Sequence, residues 1–156
     1  MERRIEYAEV APGTVHAMGA LETYVRQSGL ERSLLHLVKT RASQINGCAF
    51  CLDMHTREAR EDGETEERLY LLQAWRETED YTERERAALA WTEAVTRIAD
   101  AHVPNDVYET ACQQFTEKEL VDLTLAVVAI NGWNRLSFAF RTPPRRVAAP
   151  SAARQD

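Results

Sequence analysis

The sequence predicts an all-α protein, and three observations carry that reading. Apolar residues recur at 3/4 spacing in segment after segment, capping residues punctuate those segments, and the alternation that marks strands is nearly absent. Thr14 is the expected N-cap of a first helix in which Met18, Leu21 and Val25 share a face and Gly29 marks the stop. A second helix is expected from about Glu31 to Ile45. Its stripe of Leu34, Leu35, Val38, Ala42 and Ile45 seeks a core, and Asn46-Gly47 supplies a left-handed C-cap. A third helix follows directly and runs to Asp62-Gly63, and a short one spans about Thr65 to Trp75. Thr82-Glu83-Arg84-Glu85 reads as a capping box that opens a long helix to about Ala101. Pro104-Asn105 begins the next. Thr116-Glu117-Lys118-Glu119 is a second capping box, placed before Leu120, Leu123, Val127 and Ile130 in a last helix ending near Phe140. Residues 1–142 therefore form one helical domain, and residues 143–156, with Pro143-Pro144, Arg145-Arg146 and Pro150, read as a flexible C-terminal tail.

At 156 residues the chain is long enough to bury roughly 68–70% of the surface its unfolded form exposes, so it can fold without staples. A formal charge of −6 argues against a nucleic-acid partner. The N-terminus, Met1-Glu2-Arg3-Arg4-Ile5-Glu6, has no apolar signal region. The most apolar stretch, Leu120 to Ile130, is interrupted by Asp122 and too short to span a bilayer, so no membrane partner is expected and the location is read as cytoplasmic. Three cysteines, two of them only three residues apart, do not form the framework of a disulfide-stapled secreted domain; a reducing compartment fits them better.

Comparing the chain with itself at an offset of 85 residues aligns Leu35 with Leu120 and Ile45-Asn46-Gly47 with Ile130-Asn131-Gly132. The alignment suggests an internal helix–turn–helix repeat. Trp133, Leu136 and Phe140 then stand where Cys48, Cys51 and His55 stand in the first copy, so the second copy supplies packing without chemistry.

The chemistry lies in Asn46-Gly47-Cys48-Ala49-Phe50-Cys51-Leu52-Asp53-Met54-His55. At about 100° per residue, Cys48, Cys51 and His55 fall within an arc of roughly 60° on one helical face. A thiol must be a thiolate to attack, and a helix N-terminus or a paired histidine lowers its pKa. Cys48 sits on the first turn and Cys51 one turn from His55, so both influences are present and the spacing alone does not choose the nucleophile. A dithiol at this spacing can close a disulfide: a peroxide oxidises one sulfur to a sulfenic acid, the other resolves it, and an external dithiol or protein reductant restores the pair. No metal or organic cofactor is required. A structural zinc site needs four ligands, and the sequence offers no second ligand pair. Cys112, between Tyr108 and Phe115, is expected in the core, as are Trp75, Trp91 and Trp133.

If the second and third helices fold back as a hairpin about Asn46, His36, ten residues before it, and His55, nine after, are neighbours. His36 would then orient or charge the imidazole. Glu58 and Asp62 lie near the same face of the third helix as His55, and either carboxylate offers the negative charge that His36 lacks.

Leu37-Val38-Lys39-Thr40-Arg41-Ala42-Ser43-Gln44-Ile45-Asn46-Gly47-Cys48-Ala49-Phe50-Cys51 with His55 resembles the core of the carboxymuconolactone decarboxylase-like superfamily, and within it the alkylhydroperoxidase D (AhpD)-like branch. The likeness continues through Arg68-Leu69-Tyr70-Leu71-Leu72, Ala74-Trp75-Arg76-Glu77 and Ala129-Ile130-Asn131-Gly132-Trp133-Asn134-Arg135, covering roughly residues 14–142. The resemblance implies an AhpD-like helical bundle assembling as a homo-oligomer, a trimer or hexamer, and a peroxidase whose CxxC pair cycles between dithiol and disulfide with a proton relay through the histidine. By that analogy Cys51 meets the hydroperoxide and Cys48 resolves it, whereas the helix-dipole argument makes Cys48 the more acidic thiol. Two departures stand out. The family pattern places a glutamate twelve residues before the first cysteine, where this chain has His36, and AhpD has a histidine at the position of Phe50. The decarboxylases of the superfamily lack the cysteine pair, so its retention here favours redox use. The expected activity is thiol-dependent hydroperoxide reduction by Cys51, Cys48, His55 and His36; the alternative is a slow-turnover thiol redox sensor or interaction protein of the same fold.

Overall fold

The computed structural model describes residues 2–145, and their regular structure is entirely helical. The order is α1 (Tyr7–Val10), α2 (Pro12–Gln27), α3 (Arg32–Asn46), α4 (Ala49–Glu61), α5 (Glu66–Leu71) running into a 3₁₀ segment (Leu72–Glu77), α6 (Glu83–Thr96), α7 (Ile98–Ala101), α8 (Asn105–Gln114) and α9 (Glu117–Phe140). α3 is the central helix and packs against α4, α6 and α9, while α2 lies along α9 and α8 along α6.

Local chemistry explains where these helices begin and end. α2 opens two residues before Thr14, because Pro12 at the first turn has the right φ and needs no partner for an N–H. α3 ends at Gly47, whose φ of 68° only a glycine adopts freely; Gly47 N–H donates to Gln44 O and Cys48 N–H to Ser43 O. Both capping boxes form, Thr82 with Glu85 and Thr116 with Glu119. The helix expected from Thr65 to Trp75 is shorter: it leaves helical geometry at Ala74 (φ −113°, ψ 26°), and a 3₁₀ turn delivers Trp75 to the interior. The helix expected to reach Ala101 is likewise interrupted, at Arg97 (φ −101°, ψ 29°).

The suggested helix–turn–helix repeat is corrected by α9, which runs through Asn131-Gly132 without a turn. Asn131 donates to Val127 O (2.9 Å) within its own helix and to Thr96 Oγ1 (3.0 Å). A Cβ on Gly132 would lie 2.8 Å from Met18 Cε, so this glycine serves the close crossing of α2 rather than a turn. The aligned asparagines nevertheless meet: Asn46 Nδ2 donates to Asn131 Oδ1 at 3.0 Å and to Asn134 Oδ1 at 2.8 Å, pinning the end of α3 to the middle of α9.

The main core joins Val25, Leu35, Val38, Trp91, Leu123 and Val127, and a second cluster gathers Leu37, Leu72, Trp75 and Leu89. A third, smaller cluster contains the chemistry: Ala42, Cys48, Cys51 and Ile130, flanked by Phe50 and Trp133. Of the expected tail, residues 146–156 lie outside the described residues; Arg145 N–H donates to Asp53 Oδ2 at 3.1 Å. No described helix is long and apolar enough to cross a membrane.

Candidate active site

The left-handed turn at Gly47 places Cys48 at the N-cap of α4, where its Sγ accepts the N–H of Cys51 at 3.4 Å. One otherwise unpaired donor of the helix start is thereby satisfied by a sulfur that gains from carrying charge. Cys48 is lowered to about 7. The hydrogen bond from the Cys51 thiol does most of this and the backbone N–H of Cys51 adds to it, against the opposing effect of burial. The same hydrogen bond, together with burial and the negative charge on Cys48, pushes Cys51 up. Above about pH 7 the pair therefore holds one proton, on Cys51, and one thiolate, on Cys48. Ser137 lies beside both sulfurs and favours their ionised forms, although its own Oγ has no well-directed partner.

His55 is buried on the next turns of α4, with Nδ1 3.0 Å from Glu58 Oε2. A carboxylate only accepts, so Nδ1 carries a proton, and in the neutral ring Nε2 holds the lone pair. That Nε2 is buried without a hydrogen-bond partner. The expected His36–His55 pair does not form: the His36 ring bonds to Asp62 Oδ2 at 2.6 Å, and the same oxygen meets Arg32 Nη2 at 2.6 Å. The hairpin turns about Gly47 rather than Asn46. Lys39 and His55 are each eight residues from Gly47, which makes the turn, and it is Lys39 that shares a pocket with His55.

That pocket, of about 300 Å³, is lined by Cys51, His55, Phe50, Met54, Trp133, Ser137 and Tyr7, with Glu22, Arg26, Lys39 and Glu58 around its polar side. Lys39 is held by Glu22 at 2.5 Å. A neighbouring pocket of about 480 Å³ shares Arg26, Lys39 and Glu58 with it and contains His36 and Asp62. Cys51, His55 and Glu58 thus converge on one cavity, Cys48 lies behind Cys51, and His36 belongs next door. Ser137 and Asn134, on α9, were not legible from the sequence; their i, i+3 spacing on the buried side of the last helix was the available signal.

Two expected core residues stand elsewhere. Cys112 is exposed, because α8 turns Ala111 inward instead and Phe115 is buried just beyond its end, a register that the same 3/4 spacing allows. Trp133 is half-buried and lines the thiol pocket, whereas Trp75 and Trp91 are buried. Among the described residues no group of three or more His, Cys, Asp or Glu side chains is arranged to hold a metal ion.

A dithiol on the opening turn of one helix, an imidazole two turns along it and an all-helical bundle around both define a class, and the chain belongs to the carboxymuconolactone decarboxylase family, whose model matches residues 12–94. Among its relatives is the uncharacterized protein YdfG of Bacillus subtilis strain 168, 45% identical over 139 residues that cover 89% of this chain and 95% of YdfG. The crystal structure of an Agrobacterium tumefaciens protein of unknown function, a suggested antioxidant defence protein AhpD, matches 94% of this chain and 100% of its own with a TM-score of 0.91 and 48% identity. The debrominase Bmp8 in its apo form shares the fold, with a TM-score of 0.77 and 18% identity over 86% of this chain and 72% of Bmp8. The all-α fold is accordingly AhpD-like.

Proposed function

We propose that this protein is a thiol-dependent hydroperoxide reductase that uses Cys48 and Cys51 as a dithiol/disulfide pair. The observation that carries the reading is the convergence of Cys51 and buried His55, whose Nε2 has no hydrogen-bond partner, on one partly apolar pocket, with the more acidic thiol, Cys48, beside Cys51. His55 Nε2 takes the Cys51 proton, and the Cys51 thiolate attacks the peroxide's terminal oxygen. The O–O bond breaks, the alkoxide leaves, and it collects that proton from His55. Cys51 is now a sulfenic acid. Cys48 attacks its sulfur, hydroxide departs and is protonated to water, and the disulfide forms. An external dithiol or protein reductant returns the two electrons. No organic cofactor is needed for this sequence of steps.

The similarity to a suggested AhpD protein supports the peroxidase reading. Exposed Val121 and Val128, one above the other on α9, support a homo-oligomer, read as a trimer or hexamer. The test is consumption of hydrogen peroxide and cumene hydroperoxide with dithiothreitol as donor, together with free-thiol counts. One equivalent of peroxide is expected to remove two thiols, and Cys48→Ser or Cys51→Ser to abolish turnover. Variants that consume peroxide as fast as the parent would overturn the assignment, and oxidation without turnover would mark a sensor instead.

A further inference from the structure

We propose that the dithiol is oxidised from one side and reduced from the other: peroxide reaches Cys51 through the His55 pocket, and an anionic thiol reductant reaches Cys48 through a separate groove. The inference rests on the peroxide-reductase reading and adds the route and the charge of the electron donor.

The groove, of about 400 Å³, runs past Cys48 between Phe138, Pro143 and Pro144, with Arg4 and Arg141 on it. Cys51 does not line it, and Cys48 does not line the His55 pocket; Phe50 and Ser137 line both and form the partition. The two thiols of one helical turn are thus approached from different cavities. The cavities also differ in charge. The His55 pocket sets Glu22 and Glu58 against Arg26 and Lys39, whereas among the described residues the groove has two guanidinium groups and no carboxylate. Arg4 is fixed there, its Nη1 donating to Ala139 O at 3.1 Å and its backbone N–H to Phe140 O at 3.0 Å. On a chain of net charge −6 this is a local cationic site. It favours a thiolate, and most of all one that carries a further negative charge.

The electron count is complete with a thiol donor. The donor thiolate attacks Cys48 Sγ, the Cys48–Cys51 bond breaks, and Cys51 leaves and takes a proton. A second donor thiolate attacks the donor's sulfur, releasing Cys48 as thiolate and the donor as its disulfide. Leaving-group acidity alone would favour attack on Cys51, expelling Cys48; access and charge act in the other direction, and the experiment separates them.

The disulfide is formed with diamide, so that the test does not depend on peroxide chemistry. Its reduction is then followed with 2-mercaptoethanesulfonate, 2-mercaptoethanol and cysteamine, with rates compared per unit of thiolate. The sulfonate is expected to be fastest and cysteamine slowest, with a spread of about tenfold that shrinks at high salt and in Arg4→Gln/Arg141→Gln. Rapid alkylation and peptide mapping should find the donor on Cys48 and the alkyl group on Cys51. Equal rates for the three thiols, or a donor mapped to Cys51, overturn the inference. Failure of peroxide to oxidise the parent protein would instead defeat the peroxidase reading, while the route and charge preference of reduction are decided by the three thiols alone.

Discussion

The His55 imidazole donates its Nδ1 proton to Glu58 Oε2, 3.0 Å away and one turn further along the same helix. The carboxylate that the family pattern places on the preceding helix is thereby supplied in this chain from α4 itself. His55 bonding in turn holds the Glu58 carboxyl below its usual range. Removing the carboxylate should leave the imidazole in either tautomer and free to rotate. Glu58→Ala is expected to slow oxidation of the dithiol by about tenfold, since an outer partner that orients a histidine typically contributes 10–100-fold and half-exposed Glu58 acts through solvent screening. Glu58→Gln, which keeps an acceptor for Nδ1–H, should fall between Ala and the parent. Stopped-flow oxidation rates check this, with the thiolate content measured in parallel to show that Cys48 is unaffected.

His36→Glu would put a glutamate where the family pattern has one, but beside Asp62 rather than beside His55. His36 meets Asp62 at 2.6 Å, so a glutamate there faces a carboxylate, with Arg32 as the shared counter-charge. Asp62 is held below its usual range first of all by the His36 hydrogen bond. The substitution is expected to leave the oxidation rate within about twofold and to lower the urea midpoint only slightly, since exposed ion pairs contribute little. A rate increase would place His36 in contact with His55 during turnover.

What the sequence disclosed and what it withheld divide along a physical line. Helix ends were legible wherever a side chain or a glycine closes its own backbone, as at Thr82, Thr116 and Gly47, because those hydrogen bonds span three or four residues. Asn131-Gly132 misled for the same reason. The dipeptide has the composition of a turn, but the choice between turn and helix is made by Met18, Thr96 and Asn46, all distant in sequence. In the site, the i, i+3, i+7 face of Cys48, Cys51 and His55 was readable, as was the presence of Glu58 one turn on. Which carboxylate bonds the imidazole, and that Ser137 approaches the sulfurs from α9, depend on helix crossing geometry that no local pattern encodes.

The acidity of Cys48 makes reactivity depend on pH in a defined window. Its alkylation by iodoacetamide should rise with a midpoint of about 7, set chiefly by the hydrogen bond from the Cys51 thiol. Cys51→Ala removes that donor and is expected to move the midpoint up by about one unit or more. The sign for stability follows from a folded pKa below the ordinary thiol value: the contribution is complete above that ordinary value and is lost as pH falls through about 7. Cys51 works in the opposite sense, since a raised folded pKa costs stability at alkaline pH. Stability should accordingly increase from pH 6 to 8 and this increase should vanish in Cys48→Ser. An unchanged midpoint in Cys51→Ala would show that the helix start alone acidifies Cys48.

Behind the site, Glu93 joins three elements. Its carboxylate accepts from Arg41 Nε (2.8 Å) on α3, from Trp75 Nε1 (2.8 Å) and from Arg76 Nη1 (2.7 Å) on the 3₁₀ segment, while itself projecting from α6. Burial pushes the Glu93 carboxyl up, but the bonds from Trp75, Arg76 and Arg41 outweigh it and the net shift is downward. Stability from this group is therefore present above the usual carboxylate range and lost as pH falls through the lowered folded value. The three donors are not equivalent. The Arg41 side chain is 11% exposed and that of Arg76 53% exposed, so truncating Glu93 strands a buried cation on one side and a solvated one on the other. Glu93→Ala is expected to cost about 3–5 kcal/mol, the range for breaking a buried ion pair, whereas Arg76→Ala should cost less than about 1 kcal/mol. Trp75→Phe, which removes one hydrogen bond and little volume, should cost about 1–2 kcal/mol by leaving part of a buried acceptor unmatched. Urea unfolding at pH 7 and pH 4 checks all three. The Glu93→Ala deficit should shrink at pH 4, and a deficit as large at pH 4 as at pH 7 would mean that packing around Trp75, rather than charge, is what Glu93 maintains.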